Sequence, residues 1–309
     1  MTLKVLGSVL VLIIGVVGQG YCQNPPAGTN APQLIIRTDD IGFCHGANMA
    51  FKRIADVGMV SSVSVIVNTP WLDEAVAILK QHPEISVGVH LALNSEWKEF
   101  KWGPVTPHDQ VPSLVDEFGK FYGSRKELFS HRPKINEVAT ELRAQVELAK
   151  RKGLKISYID NHMGAAISTL EFQEEMEKIA KEYHIGISRY FGEHEMPTVY
   201  NVLPEQKLSQ ALKNLEAITN GGLFLLVCHV GTDDAEMQAM TDLNTFGPKN
   251  MSKHRQAEAD VLCSPEYKSA LQAKGIRLVG YRELVERRKM ERPFASDSYE
   301  NVVKTALEK

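Results

Sequence analysis

The sequence predicts an α/β protein whose parallel strands curl into a barrel related to the (β/α)8 barrel. Three observations predict it. Short β-rich runs alternate with helical patterns, which makes a parallel sheet. The runs are short and largely apolar, and most are rich in Val and Ile, as strands buried on both faces are. No Gly-rich phosphate loop follows the first run, so a doubly wound dinucleotide fold loses its main support. In chain order the expected strands are residues 34–38 (LIIRT), 60–67 (VSSVSVIV), 85–91 (ISVGVHL), 156–159 (ISYI), 185–189 (IGISR), 223–227 (LFLLV) and 276–279 (IRLV). Amphipathic stretches at 136–152, 170–183, 205–219 and 266–274 supply helices between them.

The barrel is expected over residues 33–290 of the 309, with a C-terminal tail at 291–309. Ahead of it, Lys4 and the uncharged apolar stretch 5–18 read as a secretory signal peptide within residues 1–22. Fourteen residues are short for a membrane span, so export without stable membrane insertion is expected. Lipid anchoring at Cys22 is disfavoured, because Tyr21 stands where a small residue belongs. Residues 23–32, with NPPAGTNAP, read as a linker. Thirty-five Lys and Arg against 38 Asp and Glu give a formal net charge of -3. The absence of a basic surplus argues against nucleic-acid binding by bulk charge. Removing Cys22 would leave Cys44, Cys228 and Cys263, an odd set that argues against a disulfide framework.

Four polar clusters end four different strand runs: Asp39-Asp40, His90, Asp160-Asn161-His162 and His229. In α/β barrels the carboxyl ends of the strands meet on one face, where active sites lie. Each cluster alone is better read as a helix cap or a satisfied core residue. Together they are hard to attribute to packing, since buried acids and imidazoles need a partner or a metal. One carboxylate and two imidazoles suit a divalent ion. A second carboxylate could take a proton from water, and a further His could give one to a leaving group. Adjacent strand residues point to opposite faces, so Asp39 and Asp40 are expected to share a site only because the strand ends there.

A connection of about forty residues, 92–133, holds Trp97, Trp102, Phe100, Phe118, Phe121 and Tyr122. Loops this long are usually functional or mobile. Two readings stand side by side: a flap with its own small core, or a lid offering Trp97 and Trp102 to a sugar ring.

The segments TDDIGFCHGAN (38–48), GMVSSVSVIVNTP (58–70), VGVHLAL (87–93), YIDNH (158–162), HRQAEADVL (254–262) and GIRLVGYREL (275–284) resemble, in order, the YdjC-like carbohydrate deacetylases. The resemblance implies a distorted (β/α) barrel of the wider polysaccharide deacetylase type and metal-dependent removal of acetyl groups from N-acetylated sugars. It implies Asp40, His90 and His162 as metal ligands, Asp39 as base and His229 as general acid. Arg255, in an R-x-x-E pattern with Glu258, would hold Asp39 ionised; its other reading is a surface helix charge. Two departures stand out: Gly164 replaces the second His of the usual D-x-H-x-H, and His229-Val230-Gly231 replaces H-P-G. The expected cofactor is one divalent ion, Mg or Zn first, with Co, Ni and Mn also compatible. The expected partner is a small carbohydrate; a homodimer stays open. Two alternatives remain: an amidase or phosphoesterase on the same site, for which only Arg37, Lys253 and Arg255 offer positive charge, and a non-catalytic sugar-binding protein.

Overall fold

The computed structural model describes residues 30–244, 247–287 and 290–292. The expected signal peptide, with Lys4 and Cys22, lies outside the described residues, as does most of the linker and of the tail. The described chain forms one parallel sheet of β1 (Gln33–Ile41), β2 (Ser62–Val65), β3 (Ser86–Leu91), β4 (Ile156–Asn161), β5 (Gly186–Ile187), β6 (His194–Glu195), β7 (Leu223–His229) and β8 (Arg277–Leu278). Its order is β5-β4-β3-β2-β1-β7-β6, with β8 alongside the start of β1. That order is a barrel read around its circumference, open between β5 and β6. The distorted barrel expected from the sequence is therefore what forms.

The expected strands appear with altered lengths. Residues 60–67 shorten to β2, and 185–189 shorten to β5. Arg189 has φ 73, and Glu193 accepts the backbone N–H groups of both Arg189 and Phe191, which bends the chain out of the sheet. β6 has no counterpart among the expected runs. The amphipathic stretch 205–219 is broken into a 3-10 turn, the helix Lys207–Asn214 and a second turn.

Alternation along β1 builds two cores. Leu34 and Ile36 join the large core beneath the outer helices. Ile35 faces the barrel interior with Tyr158, Leu225, Tyr281 and Leu284. The helix Tyr281–Arg287 packs on β4 and β5 and closes the amino-terminal end of the barrel. Gly88 makes this interior fit, since a Cβ there would lie 2.4 Å from the Tyr158 ring. Above these apolar residues the interior turns polar, and Arg37, Asp39 and Asp160 occupy it, each at most 3% exposed.

The long connection 92–133 is a packed flap. It carries two 3-10 turns and the helix Arg125–Ser130, and it buries Trp97, Trp102, Val111, Leu114, Phe121 and Phe129. Phe118 alone among its aromatics is widely exposed, at 78%.

Candidate active site

β1 positions three of the charged groups. Arg37 and Asp39 are two residues apart on one strand and so share the inner face. Asp40 would point away, but its φ is 65, and the register of β1 against β2 slips between Thr38 and Ile41. Asp tolerates this left-handed conformation better than most residues. The kink, rather than the end of the strand, turns both carboxylates into one pocket. β1 itself continues to Ile41.

Asp40, His90 and His162 each offer one donor atom within 4.8 Å of the others, and all are buried. Asp40 Oδ1 lies 3.4 Å from His90 Nε2 and 3.2 Å from His162 Nδ1. Two metal–ligand bonds of ~2.1 Å meeting at roughly 90–110° place their donor atoms about 3.0–3.4 Å apart, so these separations fit one shared ion. Asp40 Oδ1 is buried without a hydrogen-bond partner, as an oxygen reserved for a cation would be. The far nitrogen of each imidazole is held by a carboxylate: His90 Nδ1 by Asp160 Oδ1 at 2.8 Å, and His162 Nε2 by Glu96 Oε2 at 2.8 Å. Such partners fix the ring orientation and raise ligand basicity.

The charge balance agrees. Buried Asp39, Asp40, Glu96 and Asp160 surround the histidine pair, and the guanidiniums of Arg37 and Arg255 are the cations among them. Two negative charges are left over, which a divalent ion and neutral imidazoles would balance. The same surplus acts on the histidines. Burial pulls His90 down, but Asp160 and Asp39 outweigh it and raise the imidazole to about 10. For His162, burial is outweighed by Glu96 and Asp40, giving about 9. Burial pushes Asp160 up, yet Arg37 and His90 bring it down to about 2. Arg255 likewise overcomes burial and holds Asp40 well below the usual carboxylate range. The donor set fits a divalent metal.

The partner of Asp39 is corrected. Arg255, expected to hold Asp39, donates from Nη2 to Asp40 Oδ2 at 2.8 Å. It reaches that oxygen alongside the stacked rings of Phe43 and Trp97, whose centroids lie 5.1 and 5.6 Å from its guanidinium carbon. Nor is it a surface helix charge, being 3% exposed. Gly231 leaves room for both Met237 and Arg255, because a Cβ there would lie 2.6 Å from Met237 Cε and 3.1 Å from Arg255 Cβ. Asp39 is held by Arg37, whose Nε and Nη2 each donate at 2.7 Å to one carboxylate oxygen. Arg37 also reaches Asp160 Oδ2 at 3.1 Å and Ser188 Oγ at 2.5 Å. One buried guanidinium therefore ties Asp39 to the carboxylate that orients His90.

His229 ends β7 directly beside Asp39 in the ladder. Its backbone N–H donates to Glu258 Oε2 at 2.9 Å, and its ring meets Tyr200 edge-on at 5.3 Å. Trp97 and Trp102 do not offer open faces, at 2% and 4% exposed. Trp97 stacks on Phe43, and Trp102 sets its ring near His162 at 5.8 Å. Trp97 still lines the pocket; Trp102 braces a histidine behind it. A cavity of about 630 Å³ opens over these groups, within the range of small-molecule sites. Its walls include Asp39, Asp40, His90, His162, His229 and Gly164, which takes φ 76 where the usual motif carries a second His.

Sequence reasoning missed the roles of Arg37, Asp160 and Glu96. The i, i+2 spacing of Arg37 and Asp39 was a usable signal. Glu96 sits in an aperiodic loop and gave none. Replacing Glu96 by Gln should weaken divalent-ion binding by ~10–100-fold, because His162 loses its charged acceptor. Competition against a chromophoric chelator would measure this, and an unchanged affinity would remove Glu96 from the site.

The comparisons agree with this architecture. The YdjC-like protein family model matches residues 33–273. The chain is 29% identical over 262 residues to the carbohydrate deacetylase of Brevibacillus brevis, covering 82% of this chain and 99% of that one. It is 27% identical over 256 residues to the carbohydrate deacetylase of Geobacillus stearothermophilus, covering 81% and 96%. A solved Enterococcus faecalis structure, described as a candidate cellobiose-phosphate cleavage protein, shares the fold at TM-score 0.68 and 23% identity, over 82% of this chain and 99% of that one. With its family model spanning most of the barrel and these relatives matched nearly end to end, the chain belongs to the YdjC-like protein family.

Proposed function

We propose that this chain is a metal-dependent carbohydrate deacetylase that hydrolyses the acetamide of an N-acetylated amino sugar or short oligosaccharide to amine and acetate. The observation that carries the reading is the buried Asp40–His90–His162 donor set with Asp39 beside it, at the floor of a cavity of about 630 Å³. The names of the similar proteins supply the sugar and the acetyl group. A divalent ion at these residues would acidify water and polarise an amide carbonyl. Asp39, fixed by Arg37, accepts the water proton, and His229 beside it in the ladder supplies one to the departing amine.

The test is acetate release from a panel of N-acetylated sugars and oligomers, with protein stripped of metal and then restored. Activity should vanish on stripping and return with one divalent ion per chain. His90→Ala and His162→Ala should bind no ion at concentrations that fill the wild type, since too few fixed donors remain. Elemental analysis reads this directly. Full occupancy in both variants would refute the ligand assignment, and acetate release from fully stripped protein would refute metal dependence.

A further inference from the structure

Among the described residues, a buried lysine lies outside the catalytic cluster. Lys207, at the start of the helix Lys207–Asn214, is fully buried. Its ammonium donates to Val199 O at 2.5 Å, Tyr200 O at 3.0 Å and Glu258 Oε1 at 3.2 Å. All three of its donors are used. Glu258, itself 3% exposed, passes its other oxygen to the backbone N–H of His229. The segment held by the two carbonyls carries Thr198, Tyr200 and Asn201, which form one wall of the cavity. Tyr200 also sets its ring against His229.

A buried ion pair is a poor way to stabilise a fold, because desolvation offsets the attraction and apolar replacements often do as well. Here the pair joins two separate parts of the cavity: the wall at Thr198–Asn201 and the end of β7. We propose that Lys207 is a positioning residue that, through Glu258 and the Tyr200 segment, fixes His229 relative to Asp39. The proposal rests on the reading of His229 as the proton donor to the departing amine.

The experiment compares metal-loaded wild-type protein with Lys207→Met and with the double variant Lys207→Met/Glu258→Leu. Turnover of an N-acetylated sugar is measured alongside metal content, thermal stability and the ring resonances of ¹⁵N-labelled histidines. The single variant leaves Glu258 buried and unpaired and should lose stability. The double variant removes both charges and should recover much of it. In both, kcat should fall ~10-fold or more, below the ~10²–10⁴ of a wholly lost acid or base. KM should stay within roughly twofold, as expected when ground-state binding is intact. The His229 resonance should move while those of His90 and His162 stay, with metal content unchanged. Adding Lys207→Met to His229→Ala should cost no further turnover. A double variant with wild-type kcat and an unmoved His229 resonance would overturn the proposal, as would a further loss in the His229→Ala background. Should wild-type protein release no acetate from any substrate, the deacetylase reading fails. The His229 resonance then decides positioning by itself.

Discussion

Asp39→Asn should keep its metal ion and lose turnover by ~10²–10⁴, the range for a missing general base. The amide has nearly the volume of the carboxylate but cannot take a proton from water. The surroundings of Asp39 add a second expectation. Both of its oxygens accept from Arg37, through Nε and Nη2 at 2.7 Å each. An Asn must turn its NH2 toward one of those donors, leaving a buried donor unmatched at ~1–3 kcal/mol. For a domain of this size each kcal/mol lowers Tm by about 2–4 °C, so a fall of roughly 2–12 °C should accompany the kinetic loss. The variant should still fold, since the charged partner Asp160 stays with Arg37. The measurement is kcat at saturating metal beside metal content. Asp40→Asn provides the contrast. It loses the negative charge and turns an NH2 either toward His162, where Asp40 Oδ1 lies 3.2 Å away, or toward the donating Arg255, so its defect should lie in metal occupancy. If excess metal returned Asp39→Asn to near the wild-type rate, Asp39 would not be the base.

The split between these two aspartates shows where sequence was informative. β1 was legible because a run buried on both faces is mostly apolar, as Leu34, Ile35 and Ile36 are. The strand-end clusters were legible because a polar residue after such a run has few bland explanations when it recurs on several strands. What brought Asp40 round beside Asp39 was a backbone kink at φ 65, and no side-chain pattern announces that. Which arginine meets which aspartate was decided by tertiary geometry. Arg255 is 215 positions from Asp40, and no local pattern links the two. Trp97 and Trp102 looked like sugar platforms by composition, yet the flap needed them for its own core. Lys207 lay in an amphipathic stretch and gave no sign of burial. β6 was hard to see because a two-residue strand has no period, and the expected run 185–189 shortens to β5 because hydrogen bonds to Glu193 bend the chain out of the sheet.

Arg37→Met should be the most destabilising single change at the site. Arg37 is 1% exposed and compensates two buried carboxylates at once, Asp39 at 2.7 Å and Asp160 at 3.1 Å. Met fills much of the same space, so the loss reports charge and hydrogen bonds more than a cavity. Breaking a buried ion pair by removing one partner costs ~3–5 kcal/mol, because the remaining charge stays buried and uncompensated. At about 2–4 °C per kcal/mol, Tm should drop by roughly 6–20 °C. Arg37→Lys should fall between Met and the wild type. It keeps the charge, but a single ammonium cannot match the planar fork that serves Asp39, Asp160 and Ser188 together. The effect should extend to metal binding, since Asp160 orients His90 and moves when its guanidinium is gone. Thermal denaturation of the metal-free proteins separates the two contributions, and metal titration then reads the second. A metal-free Arg37→Met protein melting within about 2 °C of the wild type, less than the shift expected for 1 kcal/mol, would mean that the guanidinium does not hold these carboxylates. Asp39 and Asp160 would then have to be stabilised by groups other than the one that lies between them.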